Sequence, residues 1–186
     1  MGFAVAEELA QRGARVILIA GPVSIKTIHP KIERINVTSA EEMNSECLKY
    51  FPIANGAVMC AAVADFTPVV KADQKVKRGE GNLTIELKPN PDIAAGLGKL
   101  KTKNQILIGF ALETNDEDKN AASKLVKKNL DFIVLNSLND PGAGFQTDTN
   151  KITIIDKHNN FFKFELKSKI QVAKDIVDRM MVEMAL

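Results

Sequence analysis

The chain has 186 residues, 45% hydrophobic and 26% charged, with 25 lysines and arginines against 23 acids. That length suits one domain burying roughly two-thirds of its unfolded surface, and the composition is globular rather than disordered or fibrous. A formal charge of +2 excludes nucleic-acid binding by bulk electrostatics, two cysteines (Cys47 and Cys60) exclude a disulfide framework, and no apolar run approaches the ~20 residues of a membrane span.

Residues 2–12 place Val5, Ala6, Leu9 and Ala10 at the spacing of one helical face, and Gly13 is a C-terminal breaker. Residues 16–20 (VILIA) form an apolar run closed by Gly21-Pro22, the pattern of a strand buried on both faces. A weaker strand over 32–37 leads into Ser39-Ala-Glu-Glu42, a capping box opening a helix through about Tyr50. Residues 57–61 read as the next buried strand. A polar stretch from 65 to 81 follows, then a strand-like alternation over 83–87 and a helix over 91–100 with Pro91 in its first turn. In the second half, 106–110 is a strand, 117–129 a helix with Ala122, Leu125 and Val126 inward, and 132–135 a strand. A turn-rich segment (136–150) precedes two runs, 151–156 and 161–166, flanking His158-Asn-Asn160 as a hairpin, and 168–184 is a closing helix.

This alternation predicts a single α/β domain over 1–186: a three-layer, Rossmann-like, mostly parallel sheet with an appended C-terminal β-hairpin. In doubly wound folds the first helix follows a strand and a glycine-rich turn. Here the chain opens on the helix, so that strand and turn are expected before Met1. The opening residues carry no secretory pattern, and the expected setting is the reducing cytoplasm.

Several motifs are absent. There is no phosphate-binding G-x-x-x-x-G-K-[ST], no G-x-S-x-G and no H-E-x-x-H, and Gly96-x-Gly98 lacks a third glycine. Tyr50, the only tyrosine, has Ala54 four positions on, so the Tyr/Lys pair of short-chain reductases is missing. Two distant histidines do not suggest a zinc site.

The residues that remain lie at strand ends, where open α/β sheets bind ligands. Asp65 closes Ala61-Ala-Val-Ala and reads either as a ligand-facing carboxylate or as a solvated turn acid. Residues 71–78 hold four cations, Lys71, Lys75, Lys77 and Arg78, which suit a polyphosphate or a solvated face. Asn90-Pro91-Asp92-Ile93 opens a helix whose N–H groups attract anions, or whose Asp is simply a cap. Phe110, after Gly109, is a stacking ring or a core residue. Lys124 and Lys128 share one helical stripe, either at a ligand or in solvent. Asn136 closes another strand with the same two readings. Jointly, this inventory suits a nucleoside triphosphate with a metal ion.

The order of these segments, with Gly21-Pro22-Val23-Ser24, Lys75-Val-Lys77, Gly109-Phe110-Ala-Leu-Glu113-Thr114, Lys128-Asn-Leu-Asp131, Gly144-Phe145 and Asp148-x-Asn150, resembles phosphopantothenoylcysteine synthetase in its bacterial, CTP-using branch. The resemblance implies a ligase of coenzyme A biosynthesis. CTP activates 4′-phosphopantothenate as an acyl-cytidylate, and cysteine displaces CMP. By the same resemblance, Lys75 contacts the triphosphate and is catalytic, while Asp65, Asn90, Pro91, Asp92, Ile93, Phe110, Lys124 and Lys128 bind the nucleotide. Mg2+ screens the phosphates. The family is commonly fused to an FMN-dependent decarboxylase and forms homodimers. Met1-Gly2 matches the end of the family's Ser-Ser-Gly-Lys-Met-Gly segment, so the resemblance implies that the phosphopantothenate site, the acyl-transfer step and much of the dimer contact depend on residues expected upstream. Two other classes stay open: a non-catalytic nucleotide-binding module, and a reductase of the same fold, which the missing Tyr/Lys pair and dinucleotide turn oppose.

Overall fold

The computed structural model describes residues 1–72, 74–78, 81–113, 117–137 and 148–185. Helix α1 (Gly2–Gln11) buries Val5, Ala6 and Ala10, and beyond it Gly13 takes φ +101°, a left-handed value suited to glycine. Strands β1 (Val16–Ala20) and β2 (Ile32–Asn36) pair in parallel, Val16 opposite Ile32. Only Ala20 of β1 is fully buried. This corrects the expectation of two-sided burial, because β1 and β2 form a separate pair, with α1 and α2 (Ala40–Tyr50) packed against it, outside the main sheet. Helix α2 begins as its capping box predicts. Ser39 Oγ accepts the Glu42 N–H at 3.1 Å, and Glu42 Oε2 accepts the Thr38 N–H at 2.7 Å and its hydroxyl at 2.9 Å.

After β3 (Gly56–Met59) the chain makes a long excursion whose two ends pair as β4 (Phe66–Pro68) and β5 (Leu87–Pro89). The strand expected over 83–87 exists only from Leu87, since β4 offers three residues to pair with. Helix α3 (Ile93–Leu100) starts two residues later than expected, because Asp92 rather than Pro91 sets its boundary: Asp92 Oδ1 accepts the Ala95 N–H at 3.1 Å. Strand β6 (Ile106–Glu113), helix α4 (Glu117–Lys127) and strand β7 (Phe132–Ser137) follow. On α4 the inward residues are Ala121 and Leu125, while Val126, one position round the helix, is 76% exposed. A short pair, β8 (Thr149–Asn150) with β11 (Lys167–Ser168), brackets the hairpin of β9 (Ile152–Asp156) and β10 (Phe161–Lys163) before the closing helix α5 (Lys169–Ala185).

The main sheet runs β10-β9-β7-β6-β3, with β3, β6 and β7 parallel and the hairpin antiparallel at one side. Side chains alternate across a strand, so consecutive apolar residues feed opposite layers. Leu107 and Ile133 meet Met43, Leu97 and Leu125 of α2, α3 and α4. Ile108 and Val134 meet Val5, Val172 and Ile176 of α1 and α5. This is the expected three-layer architecture. Among the described residues no helix is long and apolar enough to cross a membrane.

Candidate functional site

Strands β3, β6 and β7 are parallel and end at one edge of the sheet. The chain leaving β3 carries Ala61, Ala62 and Ala64, all exposed, to an exposed Asp65. These small side chains leave the backbone open to close approach. Pairing of Phe66 with Pro89 brings the excursion back beside Asp65. There Asn90 straps it twice: its N–H donates to the Asp65 carbonyl at 2.8 Å, and its side-chain amide donates to the Ala64 carbonyl at 2.8 Å.

Pro91 is exposed, whereas Ile93 is buried in the α2–α3–α4 layer and anchors the segment. Between them, the Asp92 carboxylate pairs with Lys128 Nζ at 3.0 Å. Partial burial alone would raise the Asp92 carboxyl, but the Ala95 N–H and the Lys128 ammonium outweigh it and hold it below the ordinary carboxylate value. Hydrogen bonds and chain connectivity therefore link Asp65, Asn90, Asp92 and Lys128. Lys124, on α4, lies four residues before Lys128, which follows the helix, and is half-buried and already engaged.

Lys75 lies in the excursion, exposed and in no ion pair among the described residues. The excursion leans toward α2 at Lys71, which lines a shallow groove of about 400 Å³ with Asn36, Ser39 and Glu42. Phe110 sits on the opposite face from Ile93, packed against the α1–α5 layer. The expected nucleotide residues thus divide between two faces of the sheet.

Asn136, in register between Leu112 and Ile152, follows the alternation of Phe132 and Val134 onto the face of Phe110. Its Oδ1 is buried without a hydrogen-bond partner among the described residues, and an acceptor left unmet costs about 1–3 kcal/mol. The signal for Asn136 was present in the sequence as a polar residue closing an apolar strand, but spacing alone could not separate ligand contact from turn chemistry. Cys60, just past β3, lies 3.5 Å from where a Gly2 Cβ would stand, which brings the start of α1, with its partial positive charge, to this same edge. Burial pushes the Cys60 thiol up, so it is no ready nucleophile.

Comparison with known proteins decides the family. The DNA/pantothenate metabolism flavoprotein C-terminal domain matches residues 1–184. The chain belongs to this family. It is 45% identical over 177 residues to the Bacillus subtilis coenzyme A biosynthesis bifunctional protein CoaBC, covering 95% of this chain and 43% of that protein. It is also 55% identical over 181 residues to a cysteine/cysteine sulfinic acid decarboxylase of an unknown prokaryotic organism, covering 97% of this chain and 50% of the relative. The chain thus spans about half the length of these curated relatives. Among solved structures, the C-terminal domain of a coenzyme A biosynthesis bifunctional protein CoaBC superposes with a TM-score of 0.80 at 30% identity, over 97% of this chain and 81% of that one.

As a member of the flavoprotein C-terminal domain family, the chain keeps its strand-end segments mostly within view. Thr114, Gly144 and Phe145, part of the resemblance, lie outside the described residues. Asn150 is 2% exposed in β8, opposite Lys167. Among the described residues no three His, Cys, Asp or Glu side chains gather as a metal cage.

Proposed function

We propose that this domain is the phosphopantothenate–cysteine ligase half of a coenzyme A biosynthesis protein, using CTP. The observation that supports this reading most is the connected path from Asp65 through Asn90 and Asp92 to Lys128, in a domain of this family.

The chemistry calls for such a site. A carboxylate is a poor acyl donor, and joining it to a phosphate supplies a leaving group. The phosphopantothenate carboxylate oxygen attacks the α-phosphorus of CTP and pyrophosphate departs. The amine of cysteine then attacks the acyl carbon, CMP departs, and the amine gives up a proton. Negative charge shifts onto pyrophosphate in the first step, and preorganised cations lower that barrier without reorganising. Lys75 fills this role from the excursion. Lys124 from α4 and Lys128 from just beyond it meet the nucleotide, the Asn90–Ile93 segment borders it, and Phe110 and Asn136 approach from the other face.

Mg2+ would be held mainly by triphosphate oxygens and water, with the exposed Asp65 as the carboxylate that could reach it. When bound it screens the phosphate charge. The exposed Phe66, Val70, Leu83 and Ile85 of the excursion give a second copy an apolar flank to cover, in keeping with a homodimer. A fused FMN-dependent decarboxylase completes the proposed protein, which works in the cytoplasm.

A second reading, decarboxylation of a cysteine derivative by the whole protein, is favoured by the name of the 55% identical relative. One assay on the full-length protein separates the two. The ligase releases pyrophosphate only with both CTP and 4′-phosphopantothenate, and CMP only once cysteine is added. Release of CO2 from cysteine or its sulfinate, with no CTP-dependent pyrophosphate, would replace the ligase reading with the second.

A further inference from the structure

Helix α3 and the turn after α4 meet with no side chain between them. A Cβ on Gly98 would stand 2.0 Å from the Lys128 carbonyl oxygen and 2.8 Å from its carbonyl carbon, both backbone atoms with little freedom to give. Across this contact, Asn129 Nδ2 donates to the Gly98 carbonyl at 2.8 Å. That carbonyl is among the last four of α3, which no N–H of the helix itself satisfies. Asn129 holds φ +51°, a left-handed value that asparagine tolerates better than most residues.

The residue held against the helix here is Lys128, whose ammonium reaches Asp92 Oδ1 at 3.0 Å. Asp92 lies six positions before Gly98, about 9 Å along the helix axis. The lysine side chain must therefore run up α3 nearly its full length, from a backbone that starts in contact with the helix. Setting that backbone back by the width of one methyl group would withdraw the ammonium from the N-cap.

We propose that Gly98 and Asn129 are positioning residues that seat the Lys128 main chain on α3, so that its ammonium stands at the Asn90–Ile93 segment to meet the triphosphate. This rests on the CTP-ligase reading and adds to it the device that aims one of its cations. Neither residue touches substrate; both act through Lys128.

The test is steady-state pyrophosphate release by the full-length protein with CTP varied. Asn129→Gly keeps the left-handed backbone accessible and removes only the amide. It is expected to raise KM for CTP about tenfold, leaving KM for cysteine nearly unchanged and lowering the melting temperature by only a few degrees. Because Asn129 acts through Lys128, the Asn129→Gly/Lys128→Ala double variant should be no worse than Lys128→Ala alone. Gly98→Ala, which adds the clashing methyl, is expected to raise KM for CTP further and to lower the melting temperature as well. An unchanged CTP KM in Asn129→Gly, or effects that multiply in the double variant, overturns the proposal. A wild-type protein with no CTP-dependent pyrophosphate release sinks the ligase reading and this one with it, whereas an active wild type with an unaffected variant sinks this one alone.

Discussion

Asp92 serves two elements at once. Its carboxylate caps α3 through the Ala95 N–H and pairs with Lys128 from the end of α4, so one side chain ties a helix start to a cation 36 residues away in sequence. Lys75 is the opposite kind of residue: exposed, and without an ion pair among the described residues. Such a cation stabilises little in the folded state and is suited to charge that appears during a reaction. Lys75→Gln is accordingly expected to lower turnover by ~10² or more with an unchanged melting temperature, and a rate within twofold of wild type would remove Lys75 from its proposed role. The cysteines behave in the contrary way. Burial pushes the Cys47 thiol up to about 11, with Glu46 adding to the effect. Iodoacetamide at pH 7.5 should therefore label Cys47 far more slowly in the native protein than after unfolding; equal rates would contradict its burial.

At the scale of elements, the C-terminal hairpin is held to α5 by a buried polar cluster. Asp156, 2% exposed, accepts the His158 and Asn160 N–H groups at 2.9 Å each and the Asn160 amide at 3.0 Å, and pairs with Arg179 at 2.9 Å. Arg179 also pairs with Glu183 and stacks 4.3 Å from the Phe162 ring centre. Burial would raise the Asp156 carboxyl, but the Asn160 side chain, the two N–H groups and Arg179 more than offset it, so the folded value lies below the ordinary one. A depressed carboxyl contributes stability that is present above its unfolded pKa and lost as pH falls through its folded one. Denaturant melts should thus show stability declining below about pH 4. Asp156→Asn should lose about 3 kcal/mol at pH 7 and show a shallower acid decline; an identical pH profile would exclude Asp156 from the transition.

Across the whole molecule, stability is uneven. Strands β6, β7 and β9 lie within the main sheet, between its two buried layers. The excursion between β4 and β5 is exposed along nearly all its described length. Native-state hydrogen exchange should therefore be slowest in Leu107, Ile133, Val134 and Ile154 and fastest in residues 70–72 and 74–78. Protection of 70–72 and 74–78 comparable to the sheet would mean that another chain or a ligand covers them. This unevenness suits a proposed site whose walls are strand ends and helices backed by buried layers, while one of its proposed cations lies on an exposed segment.

How much of this was legible depended on the range of the interaction. Ser39 and Glu42 announced α2 because a capping box is closed within four residues. The runs at 106–110 and 132–135 announced central strands, since burial on both faces demands apolar residues at successive positions. Val126, Pro91 and the run at 83–87 misled because each depended on a partner: the packing partner of α4, the cap offered by Asp92, and the length of β4. The family motifs led to Asp65, the Asn90–Ile93 segment and Lys128 but were silent on how these touch. By itself the sequence determined the kinds and order of elements, the two-sided central sheet and which polar residues stand at strand ends, all properties of local spacing. Only the tertiary structure decided that Phe110 and Ile93 take opposite faces, that β1 and β2 pair apart from the main sheet, and that Lys128 reaches Asp92. Those outcomes depend on how distant segments pack across the sheet, and no local pattern specifies that.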